Sequence, residues 1–139
     1  MTYLVLDTDF LIRITNDPVR RLDLKQLATE FTIATIPSVL RELQGLSRHG
    51  ENKTARRASN ALRVIEEKGS EIAIQILPEG VSREEEVDLT LVDLAKKGGV
   101  TVATMDHSLL SKLERMRLPY LTLRADNPLM RTFSREQRI

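Results

Sequence analysis

Short apolar runs of strand length recur along this chain, with stretches of helical spacing between them. Tyr3–Leu6, Thr32–Ile36, Val100–Thr104 and Tyr120–Leu123 are four of them, the second ended by Pro37, and Glu71–Leu77 alternates like a fifth strand. Between them, Phe10 to Ile14, Leu22 to Phe31 and Leu109 to Met116 have helical spacing, as do Val39, Leu40, Leu43 and Leu46 before Gly50. Ala55, Ala58, Leu62 and Ile65 form one stripe along Thr54 to Lys68, with Gly69 as a stop. Ser82 and Glu85 have capping-box spacing for a helix to Lys97, closed by Gly98-Gly99. Strands alternating with helices require crossover connections, which are right-handed and produce a parallel sheet. The expectation is one Rossmann-like α/β domain over residues 1–124, a three-layer α/β/α sandwich around a central five-stranded parallel sheet. Residues 125–139 read as a polar C-terminal tail or docking arm.

Composition narrows the chemistry. With 139 residues and 41% hydrophobic content the chain can bury a core, but no Trp and 4% aromatics leave that core to Leu, Ile, Val and Ala. The absence of Cys excludes disulfides, thiolate metal sites and thiol catalysis. No apolar run approaches the roughly 20 residues needed to span a bilayer. The N-terminus lacks a basic region, and Asp7 and Asp9 interrupt its apolar run, so a cytoplasmic protein without membrane attachment is expected. Net charge is only +1, but its distribution is uneven. Arg48, Lys53, Arg56, Arg57, Arg63 and Lys68 cluster in one stretch, Arg124, Arg131, Arg135 and Arg138 lie near the C-terminus, and acids concentrate from Glu84 to Asp93. Any one such charge is accounted for by a solvated helix face. A basic flank beside an acidic pocket would suit a phosphodiester.

Ligands of doubly wound sheets bind beyond the carboxyl ends of the strands, near the point where strand order reverses. Two runs end in acids at that edge, at Asp7 and at Asp106. Each could simply cap the helix that follows; on neighbouring central strands they would instead face one another. Glu42 shares a helix face with Val39 and Leu46, where an unpaired carboxylate is costly, although a residue at the stripe edge could reach solvent. Asp88 precedes Leu91, Val92 and Ala95 on an apolar face, whereas Asp93 reads as a surface ion pair with Lys97. Glu84, Glu85 and Glu86 suit a helix's first turn. Four converging carboxylates would repel unless a hard cation such as Mg²⁺ or Mn²⁺ joined them. A pair of such ions about 3.5–4 Å apart can activate water and stabilise the leaving oxygen of a phosphoryl displacement. His49 and His107 lack metal-ligand spacing. No GxxxxGK[ST], GxGxxG or GxSxG is present, which argues against an NTPase, a dinucleotide enzyme and a serine hydrolase.

At these residues the chain resembles the PIN-domain nucleases. LVLDTDFLI is similar to the family's first-strand motif, TIPSVLREL to its helix-borne Glu motif, and DLTLVDLAKKGGVTVATMDHSLL to its closing block. The resemblance covers residues 3 to about 123 and implies a PIN fold with metal ligands at Asp7, Glu42, Asp88 and Asp106. Thr104 would be the hydroxyl supporting the last Asp or a water. Asp9 departs from the Asn or Ser of many members and reads as an N-cap of the first helix or a fifth acid. The implied activity is metal-dependent endoribonuclease chemistry with Mg²⁺ or Mn²⁺ on an RNA substrate. The motifs resemble both ribosomal-RNA-processing members and the toxins of toxin–antitoxin pairs, so a pre-ribosomal partner or an antitoxin is implied, together with a homodimer.

Two rivals stand beside this expectation. Leu6-Asp7-Thr8-Asp9 resembles the DxD loop of haloacid-dehalogenase-type phosphatases, but Leu11 occupies a position where those enzymes carry Thr or Val. The other rival is an inactive RNA- or protein-binding module, for which loss of one of the four acids would have been the signal.

Overall fold

The computed structural model describes residues 2–49, 51–67, 72–78, 87–123 and, as backbone, 130–132. Gly50, Lys68, Gly69, Glu71, the Ser82–Glu85 pair, Glu84 to Glu86, and Arg124, Arg135 and Arg138 lie outside the described residues. The chain runs β1 (Tyr3–Leu6), α1 (Thr8–Asn16), α2 (Pro18–Glu30), β2 (Thr32–Thr35), α3 (Pro37–His49), α4 (Asn52–Glu66), β3 (Gln75–Ile76), α5 (Val87–Lys96), β4 (Val100–Ala103), α6 (His107–Arg115), β5 (Tyr120–Thr122) and β6 (Met130–Thr132).

The strands form one sheet in the order β3-β2-β1-β4-β5-β6. Five are mutually parallel, as the alternation of runs and helices predicts, and six helices flank them. The sixth strand, β6, lies within the segment read as a polar tail and pairs antiparallel with β5. Three residues of Met-Arg-Thr carry too little pattern to announce a strand. β1 is central, and Leu4, Val5 and Leu6 are fully buried, because layers cover both faces of a parallel sheet. Chain order reverses between β1 and β4, whose ladder runs from Tyr3↔Val100 to Leu6↔Ala103. Helices α1 to α4 pack on one another, and α5 packs on β4 and α6. Right-handed crossovers from a reversed strand order put these two groups on opposite faces.

Several boundaries differ from the periodicity for local reasons. α1 begins at Thr8 because Asp7 caps it, and α2 begins at Pro18 because Asp17 accepts from Val19 N–H at 2.9 Å with proline at the first helical position. Among the described residues of the Glu71–Leu77 run, Gln75 and Ile76 pair with Ala34 and Thr35 of β2, and Leu77 N–H continues the edge by donating to Thr35 O at 2.9 Å. Asp93 and Lys97 form no ion pair: α5 stops at Lys96, and Lys97 N–H donates to Leu94 O at 3.1 Å, which takes Lys97 out of helical register. Far from the sheet, Asn16 at the end of α1 donates to Arg57 O at 2.9 Å and accepts from Asn60 Nδ2 at 3.0 Å, binding α1 to α4.

The turn from α5 into β4 uses positive φ at Gly98 (89°) and Gly99 (74°), and Gly99 O accepts from Tyr3 N–H at 3.0 Å. A Cβ at Gly99 would meet nothing within 4 Å, so only backbone strain opposes one there. Gly99→Ala is expected to lower unfolding stability by about 1–2 kcal/mol. Gly45, inside α3 with open space around it, should show the opposite sign, with Gly45→Ala gaining about 0.5–1 kcal/mol. Urea titrations of the two variants check both signs.

Candidate active site

The β1–β4 ladder sets the ends of the two strands level, and Asp7 N–H continues it by donating to Ala103 O at 2.9 Å. Asp7 is therefore carried directly on the strand end, at the reversal point, with 7% of its surface exposed. One carboxylate oxygen, Oδ1, accepts from Thr8 N–H at 2.7 Å and so caps α1. The other, Oδ2, accepts from the Thr104 hydroxyl at 2.8 Å. Thr104, fully buried one residue past β4, also accepts from Asp106 N–H at 3.1 Å. One hydroxyl thus joins the two strand-end acids, a role broader than support of the last Asp alone.

Asp106 caps α6, its Oδ1 accepting from Ser108 N–H at 2.8 Å and Leu109 N–H at 3.3 Å. The simple capping alternative is realised at both acids. Capping and metal ligation do not exclude one another, because a carboxylate offers about four lone-pair sites.

Glu42 projects from α3 beside a fully buried Val39, but it is itself exposed and lies at the edge of the apolar stripe. Of the two readings of Glu42, a carboxylate in line with a buried stripe and one at the stripe edge reaching solvent, the second is the one found. Asp88 is half-buried in the first turn of α5, while Leu91, Val92 and Ala95 turn into the core as the spacing requires. Asp9 is not the cap of α1. It sits exposed in the first turn, because the residue immediately before the helical dihedrals is Asp7.

Electrostatics draws Asp9 into the group all the same. Burial pushes the Asp7 carboxyl up to about 6; hydrogen bonds from Thr104 and Thr8 hold it back, and the charges of Asp88 and Asp9 raise it further. Partial burial also raises Glu42, eased by the neighbouring Thr8 hydroxyl and reinforced by Asp9 and Asp88. The Thr8 hydroxyl falls short of a formed hydrogen bond, for its Oγ1 is buried without a partner. Asp7, Asp9, Glu42 and Asp88 therefore share one field, and Asp106 joins them through Thr104. Among the described residues, no three acidic or histidine side chains are close enough to hold a single ion. His49 and His107 are both exposed.

The donor set fits a hard divalent cation in kind. It is all oxygen, it repels itself, and it includes a buried hydroxyl with no protein partner. Asp9 and Thr8 are the residues that periodicity did not single out for this site. The signal for both was the Asp-Thr-Asp sequence at a strand end, where three consecutive side chains start one helix.

No protein-family model and no curated protein sequence matches the chain. Its fold does match solved structures. It is similar to the PIN domain endonuclease Utp24 at 20% identity, with a TM-score of 0.67 over 95% of this chain and 93% of that one. A domain of a functionally unknown protein from Methanocaldococcus jannaschii matches at 19% identity and a TM-score of 0.68, over 91% of this chain and 94% of that one. The chain has the PIN-domain fold.

The raised Asp7 value has a measurable consequence. Between about 4 and 6 the folded state holds a proton that the unfolded chain releases, so stability falls as pH rises through that window. Above it, ionised Asp7 works against the fold by about 3 kcal/mol. In chelator at pH 8, Asp7→Asn is expected to melt no lower than wild type, and its stability should decline less than wild type between pH 4 and 6, the raised Glu42 carboxyl remaining. Thermal melts of both proteins across that range test this.

Proposed function

We propose that the chain is a metal-dependent endoribonuclease. The observation that carries the reading is the mutual charge repulsion of Asp7, Asp9, Glu42 and Asp88 about the β1–β4 reversal point of a PIN fold, where Asp7 is ionised only at a cost. Asp7, Glu42, Asp88 and Asp106 would hold Mg²⁺ or Mn²⁺. A bound divalent ion, or a pair of them, supplies a water of lowered pKa and neutralises charge on the phosphate. The chain's own residues supply placement. Thr104 fixes the rotamer of Asp7 and the backbone of Asp106 together, and the N-terminus of α6 lies beside the acids as a further positive dipole end.

An RNA substrate is supported by charge on α3 and α4. Arg48, Lys53, Arg56 and Arg63 are exposed and Arg57 is half-buried, forming a basic flank suited to phosphates outside the cleavage point. A processing role or a toxin role, with the corresponding pre-ribosomal or antitoxin partner, and a homodimer are further parts of the proposal.

The test is cleavage of labelled single-stranded RNA by wild type, Asp7→Asn and Asp106→Asn with Mn²⁺, Mg²⁺ or EDTA. Wild type should cut only with metal, and each variant should lose more than the roughly 10–100-fold typical of a lost supporting partner. Absence of cutting by wild type, with hydrolysis of a phosphomonoester, would transfer the assignment to a phosphatase using Asp7 and Asp9.

A further inference from the structure

Thr8 is 1% exposed, yet its hydroxyl makes no hydrogen bond. Other buried threonines of this chain show how unusual that is. Thr15, on the same helix, donates to Leu11 O at 2.7 Å; Thr35 donates to Leu6 O at 3.0 Å; Thr104 donates to Asp7. A hydroxyl taken out of water without a partner opposes folding, so native structures supply one from protein or ligand. Thr8 cannot repeat the solution of Thr15, because the residue four positions earlier, Leu4, belongs to a strand whose carbonyls serve the sheet. Its neighbour is the Glu42 carboxyl.

Glu42 needs such a partner more than the two strand-end acids do. Asp7 is held at both oxygens, and Asp106 is held by its cap and through Thr104. Glu42 stands on a different helix, exposed, with a longer side chain and no formed hydrogen bond of its own. α1, which Thr8 begins, and α3, which carries Glu42, pack against one another.

We propose that Thr8 is the positioning residue for Glu42: its hydroxyl donates to the Glu42 carboxylate when that carboxylate turns to a divalent ion. The proposal rests on the metal-site reading above and adds to it a specific link from α1 to α3. Donation suits an ionised acceptor, and it leaves the remaining lone pairs of Glu42 for the ion. The partner that the Thr8 hydroxyl lacks is then supplied by the loaded site.

The experiment is calorimetric titration of the full chain with Mn²⁺ alone, for wild type, Thr8→Ser, Thr8→Val, Glu42→Gln and the Thr8→Val/Glu42→Gln double variant, with melts in EDTA alongside. Thr8→Val should weaken Mn²⁺ binding about 10–100-fold, and Thr8→Ser should restore wild-type affinity. On the Glu42→Gln background, Thr8→Val should change nothing further, since the partner it serves is gone. In EDTA, Thr8→Val should melt no lower than wild type, because it deletes a hydroxyl that is unsatisfied there. Wild-type affinity in Thr8→Val, an equal loss on the Glu42→Gln background, or a lowered EDTA melt without rescue by serine would each overturn the positioning role alone. If wild type itself binds no Mn²⁺, the metal-site reading falls, and this proposal with it.

Discussion

The level ending of β1 and β4 is the constraint from which the rest of the site follows. β1 is buried on both faces between β2 and β4, so its register is set by apolar packing and by ladder bonds on both sides. Slipping by one residue would turn Leu4 and Leu6 to the opposite layer and carry Asp7 away from Thr104. Because that slip is so unfavourable, a hydroxyl 97 positions distant in sequence can be relied upon to meet Asp7 Oδ2. The chemistry at the crevice is thus held in place mainly by hydrophobic pairing beneath it.

The acids lie where the fold both tolerates and resists them. Asp7 and Asp106 occupy N-cap positions, where backbone N–H groups and the helix dipole favour negative charge. Burial and mutual repulsion act the other way, and for Asp7 burial is the larger effect, since its carboxyl rises despite two good donors. Local rules explain why an Asp stands at each helix start. They do not explain why the charges of Asp9 and Asp88 should add to the rise of a carboxyl that is already desolvated, and the metal proposed above rests on that excess.

Much of this was legible in the chain itself. β1, β2, β4 and β5 are recognisable because continuous apolar runs of four or five residues have no alternative but a doubly covered sheet. Asp7 and Asp106 could be placed because a strand end in such a sheet has a known direction. Asp88 followed from Leu91, Val92 and Ala95. What could not be read depends on three dimensions. Glu42 stayed open between an apolar face and a stripe edge, because periodicity reports a helix face without reporting how far it reaches into solvent. Asp9 reads as a cap or as a fifth acid because Asp7 and Asp9 are equivalent cap formers, and only the backbone decides between them. β3 shrank because pairing length at a sheet edge depends on the neighbour. The bridging by Thr104 and the isolation of Thr8 are contacts, and no spacing rule encodes them.

The bond network at Asn16 has a consequence for how this architecture can be rebuilt. Its amide spans two elements at once, with Arg57 O and Asn60 as partners more than 40 residues away. The α3–α4 hairpin is therefore not a detachable cassette. A loop-and-helix exchange that replaced it, by recombination or by grafting, would have to bring along an acceptor and a donor at these two points, or leave the half-buried Asn16 amide with only its bonds inside α1, to Ile12 O at 2.8 Å and Thr15 Oγ1 at 3.4 Å. Exchange of the hairpin therefore bears directly on α1, the helix that Asp7 caps.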